Sequence, residues 1–204
     1  MLTTMQLTFA LMCIVASLSV VQSSTEKSGH KTKEDCLEEL LTKELSNSYN
    51  YLQLSSKVGT TQGFAGFSSL YLKLSDDGVS KAHDLAKFLV LRQFDSLDLI
   101  DKSGIEIHSG IHNLANDIVF GSLEQAKLQN DQTLEKVHAC HKLGDANVQD
   151  YLESNVLDYH IEIDKFLQDL KERLASTTDK ELTKYMVDEE LLNTYGDYRK
   201  EVFS

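Results

Sequence analysis

Apolar residues recur at steps of three and four along most of the chain, the spacing that stacks side chains on one face of an α-helix. From Glu34 to about Lys57, Leu37, Leu41, Leu45 and Leu52 mark a first helix, with Tyr49 and Tyr51 between them. The glycine-rich "GTTQGFAG" then predicts a turn. A second helix is predicted from about Phe64 to Phe94, with Phe67, Tyr71, Leu74, Gly78, Lys81, Leu85 and Phe88 on its inner stripe. The pattern lapses through "DSLDLIDKSGIEIHSG", a connector long enough to run back along a bundle, within which "IEIH" reads as a short strand or extended segment. It resumes in a third helix from about Ile111 to His141, whose stripe includes Phe120, Leu123, Lys127, Asn130, Leu134 and Val137. After the turn "KLGDA", a fourth helix from about Asn147 to Leu174 carries Leu152, Val156, His160, Ile163, Leu167, Leu170 and Leu174. "ASTTD" ends it, with Asp179 placed to cap a fifth, shorter helix over about Lys180–Asn193. The elements predict an all-α four-helix bundle with a long crossover between the second and third helices, plus a short fifth helix.

Composition agrees with long helices. The 204 residues include no proline and 10 glycines, with 41% hydrophobic and 25% charged residues. The net charge of −12 disfavours nucleic acid and anionic membranes and favours cations or basic partners. Residues 1–23, "MLTTMQLTFALMCIVASLSVVQS", are uncharged and apolar. Their apolar run fits the core of a signal peptide cleaved after Ser23, with a signal-anchor as the alternative. A polar extension at 24–33 precedes the bundle domain at 34–204, and the mature chain is expected in the secretory lumen or outside the cell, without membrane insertion. Cys13 leaves with the signal peptide, so Cys36 and Cys140 remain for an oxidising compartment, free to close one intrachain bridge or to join two chains.

Each long helix also carries a polar residue on its inner stripe. The first has Glu44 and, seven residues on, Tyr51; the second has Gly78 and Lys81; the third has Lys127; the fourth has His160. Polar groups from facing helices at mid-length mark where bundles build metal centres, and a di-iron centre takes a Glu from each of two helices and Glu-x-x-His from the other two.

In this order and spacing the chain resembles the ferritin family. "ELSNSYNYL" matches the first-helix motif whose Glu and Tyr, here Glu44 and Tyr51, belong to the ferroxidase centre. "FSSLYLKLSDDGVSKAHDL" aligns with the second-helix motif, with Gly78 in place of the iron-bridging Glu and Lys81 in place of the His. Lys127 replaces a third-helix Glu, and His160 the usual Gln. With its leader the chain is similar to the secreted ferritins of insects, particularly their light-chain subunits. A centre with one carboxylate and two ammonium groups repels iron rather than holding it. The expectation is therefore a lost ferroxidase centre, with a lysine ammonium bonded to Glu44 where iron would sit and Gly78 making room for it. The alternatives are a weak rebuilt site from Glu44, Tyr51 and His160, or a bundle that never mineralises.

The resemblance implies further sites. Asp76, Asp77 and Asp84 lie near positions that face the cage cavity in light chains and nucleate ferric mineral, although a solvated acidic face explains them equally. Asp150 and Glu153 match the Asp-x-x-Glu of the three-fold pore that admits Fe²⁺, with His138 near its outer mouth; ordinary capping chemistry is the plainer account. Leu182, Met186 and Glu190 fall at the four-fold channel. In a ferritin bundle Cys36 and Cys140 lie at the same pole, so an intrachain bridge is open to them, as is a link between unlike subunits. The implied cargo is iron, Fe²⁺ in transit and Fe³⁺ as mineral, with no organic cofactor. The implied partners are ferroxidase-active heavy-chain-type subunits in a mixed 24-subunit cage.

Overall fold

In the computed structural model the described residues are 32–61, 63–93, 106, 110–111, 114 and 117–196. The leader and nearly all of the polar extension lie outside them, as does "IEIH" apart from Glu106. Helix α1 spans Lys33–Thr61, α2 Ala65–Leu91 and α3 Ile118–Leu143. The fourth predicted helix is α4, Ala146–Leu152, continued through a π-helical turn, Glu153–Leu157, into α5, Asp158–Ala175. Helix α6 spans Lys180–Tyr195, and Asp179 caps it as expected, its side chain accepting from Leu182 N. No described helix is long and apolar enough to cross a membrane.

Two predicted boundaries move for local reasons. Helix α2 stops at Leu91 because Arg92 caps it and Gln93 adopts a positive φ of 58°. Helix α3 starts at Ile118, not Ile111, because Asp117 caps it, its carboxylate accepting from Phe120 N. Gly110 and Ile111 instead form a 3₁₀ turn, and Ile111 is buried in the core. The crossover is tied to α1 at Glu106, whose O accepts from Asn50 Nδ2 at 3.0 Å and whose N–H donates to Ser46 Oγ at 3.2 Å.

Burial corrects the phase of three stripes. In α1, Leu52 is 43% exposed and the inner face runs instead through Glu44, Asn47, Tyr51 and Leu54. In α2 the stripe steps from Gly78 to Ala82 and Leu85, leaving Lys81 about 60° off the core direction. In α3 it runs through Leu123, Ala126, Gln129, Asn130, Thr133 and Val137, which leaves Lys127 and Leu134 at its flank.

The apolar core falls into two clusters. One joins Tyr51, Leu54, Phe67, Tyr71, Leu123, Ile163 and Leu167; the other joins Leu37, Leu40, Leu85, Val137, Val148 and Leu152. Between them, at mid-height, α1, α3 and α5 contribute a buried polar layer of Glu44, Asn47, Ser48, Gln129, Asn130, Thr133 and His160. Within the second cluster, at the pole of the bundle, Cys36 and Cys140 form an intrachain disulfide with Cα atoms 5.4 Å apart. This settles the pairing left open by the sequence: the first residues of α1 and the last of α3 meet because the two helices run antiparallel.

At the opposite pole α6 is locked onto α2 by the main chain. A β-carbon on Gly66 would overlap the carbonyl of Asp188. The Asp188 carboxylate accepts from Phe67 N at 2.9 Å and so caps a helix whose own N-cap, Phe64, offers no side-chain acceptor. Lys184 Nζ, 2.9 Å from Asp117, ties the same helix to the start of α3.

Candidate functional site

Glu44 from α1 and His160 from α5 meet in the polar layer, exposed by only 1% and 2%. His160 Nε2 lies 2.7 Å from Glu44 Oε1, and Nδ1 lies 2.7 Å from Asn130 Oδ1 on α3. Asn130 Nδ2 donates to the main-chain O of His160 at 2.8 Å, which turns the amide oxygen toward the ring. Both ring nitrogens therefore face acceptors. Nδ1 donates a proton to Asn130, and a second proton lies between Nε2 and Glu44. Whether held as imidazolium and carboxylate or as imidazole and carboxylic acid, the pair is neutral overall, which suits a dry interior.

The expected lysine on Glu44 is thus replaced by a histidine. Lys81 instead donates to Asn155 O at 2.9 Å, within the π-helical turn, and its ammonium stands 4.9 Å from the centre of the Tyr159 ring. Its offset from the inner stripe carries it across to α5 rather than into the core. Lys127 likewise turns sideways, to Asp131 at 3.3 Å and to Asp164. Burial lowers its pKa, but the Asp164 and Asp131 bonds outweigh this and hold it above the ordinary value.

Gly78 makes room, but for Ser48 rather than for an ion pair. A β-carbon at Gly78 would overlap Ser48 Oγ, which donates to Glu44 O at 3.0 Å. Helices α1 and α2 are therefore in near-backbone contact at Gly78. Tyr51 is buried, and its hydroxyl points at Ala126 O, 3.5 Å away. Burial first, then the nearby Tyr159 and Glu44, raise its pKa well above the ordinary phenol value, so it stays neutral.

A di-iron centre needs several carboxylates with free lone pairs. This layer offers Glu44, engaged by a proton shared with His160, and a phenol held neutral. Among the described residues no group of three or more His, Cys, Asp or Glu side chains is placed to hold a metal ion.

The other predicted positions lie on the surface. Asp77 pairs with Lys73 and Asp84 with Lys87, each on its own helix, while Asp76 is exposed. Asp150, Glu153 and His138 are exposed near the junction of α3 and α4. The cap of α4 is Asp145, which accepts from Val148 N at 3.1 Å, so Asp150 and Glu153 are not capping residues. Glu153 instead faces His141, with Oε1 2.7 Å from Nε2. Leu182 and Met186 are exposed on α6, and Glu190 is held by Arg173 through two bonds, at 3.2 and 2.6 Å.

Sequence reasoning missed Ser48, which has no periodic signature beside a glycine one helix away, and His141, which lies outside any motif. Asn130 was on the predicted stripe, but its amide pattern gave no sign of the imidazole it orients.

Comparison with known proteins agrees with this architecture. Residues 34–177 match the ferritin-like domain family, a span that covers α1 to α5 and stops short of α6. A search of curated proteins gives no match. With a match over most of its length, on an all-helical bundle of the expected order, the chain belongs to the ferritin family.

Proposed function

We propose that this ferritin is a secreted, light-chain-type subunit without a working ferroxidase centre. Ferritins store iron in multi-subunit cages. In such a cage this chain would supply shell and pore walls, while heavy-chain-type partners oxidise Fe²⁺. The observation that carries the reading is the 2.7 Å contact of His160 with Glu44, together with Ser48 filling the space beside Gly78. Iron at Glu44 would have to displace the proton it shares with His160. The two positions where the family carries further carboxylates hold Gly78 and Lys127.

The remaining roles follow from the surface. Asp150, Glu153 and His138 are exposed close together in sequence at one end of the bundle, which supports a part in a cation pathway. The acidic face of α2 supports ferric nucleation more weakly, since Lys73 and Lys87 neutralise two of its carboxylates. The uncharged leader supports secretion.

The deciding experiment loads the isolated subunit with Fe²⁺ anaerobically, admits oxygen and counts rapidly oxidised irons per chain. The expected result is oxidation at the uncatalysed rate. A fast stoichiometric phase abolished by Glu44→Ala would overturn the proposal in favour of a rebuilt ferroxidase site.

A further inference from the structure

Three polar atoms in the middle layer lack a partner among the described residues. Asn47 Oδ1 on α1 and both Nε2 and Oε1 of Gln129 on α3 are buried and make no hydrogen bond among the described residues. The two residues are 1% and 0% exposed, so bulk solvent does not reach them either.

The register of the two helices brings the two residues onto facing turns. Helices α1 and α3 run antiparallel, with Lys43 on Gln132, Asn47 on Thr133 and Tyr51 on Ala126. One turn before Thr133, that register sets Gln129 opposite Asn47. Thr133 fixes one side of the gap. Its hydroxyl accepts from Asn47 Nδ2 and donates to Gln129 O at 3.1 Å, so its proton is committed and the Asn47 amide cannot usefully flip.

A buried amide without partners is strongly unfavourable, and native interiors rarely tolerate one. Here two residues on facing turns of α1 and α3 leave one donor and two acceptors without partners among the described residues. A cation would suit the oxygens and be repelled by the N–H; an anion would do the reverse. Exchanging the N and O of Gln129 leaves the set unchanged. The matching ligand donates two hydrogen bonds and accepts at least one, and is small enough for a helix–helix interface. Water has that capacity, and buried waters characteristically make about three hydrogen bonds.

We infer that Asn47 and Gln129 form a built-in water site that bridges α1 and α3 at mid-bundle. The bound water completes the polar layer separating the two apolar clusters. It acts as a structural ligand, adding a bridge between the helices beside the Asn47–Thr133 bond. The inference is independent of whether the neighbouring Glu44–His160 pair binds iron.

Two measurements test it on the full chain. A high-resolution crystal structure, from crystals grown with rubidium chloride, should show a water peak within hydrogen-bonding distance of Asn47 Oδ1 and of the Gln129 amide. It should show no anomalous rubidium signal there. Thermal unfolding of Gln129→Met should give a lower Tm, because the variant strips the water of two partners and leaves Asn47 Oδ1 unmet. A raised Tm would mean that the amide was a dry defect relieved by an apolar side chain, and would overturn the inference. Rubidium at the site, or no peak where other internal waters are clear, would overturn it too.

Discussion

His160 Nε2 stands 2.7 Å from Glu44 Oε1, deep between two apolar clusters, and Asn130 holds the far side of the ring. Removing one member leaves the other buried without its counterpart, a loss of about 3–5 kcal/mol in comparable buried pairs. Glu44→Ala and His160→Ala should each fall in that range by chemical denaturation. The double variant should cost clearly less than the sum, because no lone charge remains. Additive losses would mean that the two side chains do not share a proton.

Gly78 and Ser48 make a sharper test, because the sign of one substitution should depend on the other. In the native chain Gly78→Ala drives a β-carbon into Ser48 Oγ. Overpacking of this kind costs about 1–3 kcal/mol. With Ser48→Ala in place, the nearest remaining side-chain atom is the residue 48 β-carbon at 3.5 Å, an ordinary contact. Gly78→Ala should then stabilise by about 1 kcal/mol, the helix-propensity difference between the two residues. A destabilising Gly78→Ala in both backgrounds would show that something other than Ser48 needs the glycine.

The helices and their order were legible because apolar periodicity extends over many turns, and Asp179 was legible because a capping residue precedes its helix directly. Glu44 and His160 were legible as polar interruptions of an apolar stripe. Which partner each would take was not, since a stripe with Gly78 admits either Lys81 or Ala82 as the next inner residue and only packing decides. The π-helical turn had a signal that went unread. Val148, Leu152, Val156 and His160 follow each other in steps of four, and an α-helix would rotate the last of them off the core. Widening the turn at Glu153–Leu157 absorbs the drift and keeps His160 on Glu44. Asp188 capping Phe67 joins residues far apart in sequence, and no local pattern announces it.

That cap predicts a specific loss of local order. Asp188→Ala removes the side-chain acceptor for Phe67 N and should cost about 1–2 kcal/mol, as cap removals do. Hydrogen exchange should accelerate first at the start of α2 and in α6, with α5 protected as before. Asp188→Asn retains an acceptor oxygen and should lose less. Uniform acceleration across the bundle would argue against a local latch.

Asp145 predicts an acid limb in the stability profile. Its carboxylate is bonded by Lys33, by Val148 N–H and by Arg92, which together hold its pKa at about 2, below the ordinary 3.8. A depressed folded-state pKa stabilises the fold above the unfolded value, and that contribution fades as the pH falls from about 4 toward 2. Asp145→Asn keeps an N-cap oxygen but removes the titration. Denaturation midpoints of the variant should be lower than native at pH 6 and should converge with it near pH 2. Parallel curves over the whole range would show that Asp145 is not the titrating group.

At the same pole the Cys36–Cys140 bridge makes a prediction that separates fold from assembly. It closes a loop with a sequence separation of 104 between residues that are 0% and 1% exposed. Loop-closure entropy for that length corresponds to about 4–5 kcal/mol. The double variant Cys36→Ser, Cys140→Ser should lose stability on that scale in denaturant. Burial also means that reductant must wait for the pole to open, so reduction in native buffer should be slow and should quicken steeply as unfolding begins. Non-reducing electrophoresis supplies the independent check, because both cysteines of the bundle domain are consumed within one chain. The chain should run as a monomer with and without reductant. A reductant-sensitive band at twice the 23.0 kDa chain mass would place the bond between subunits instead.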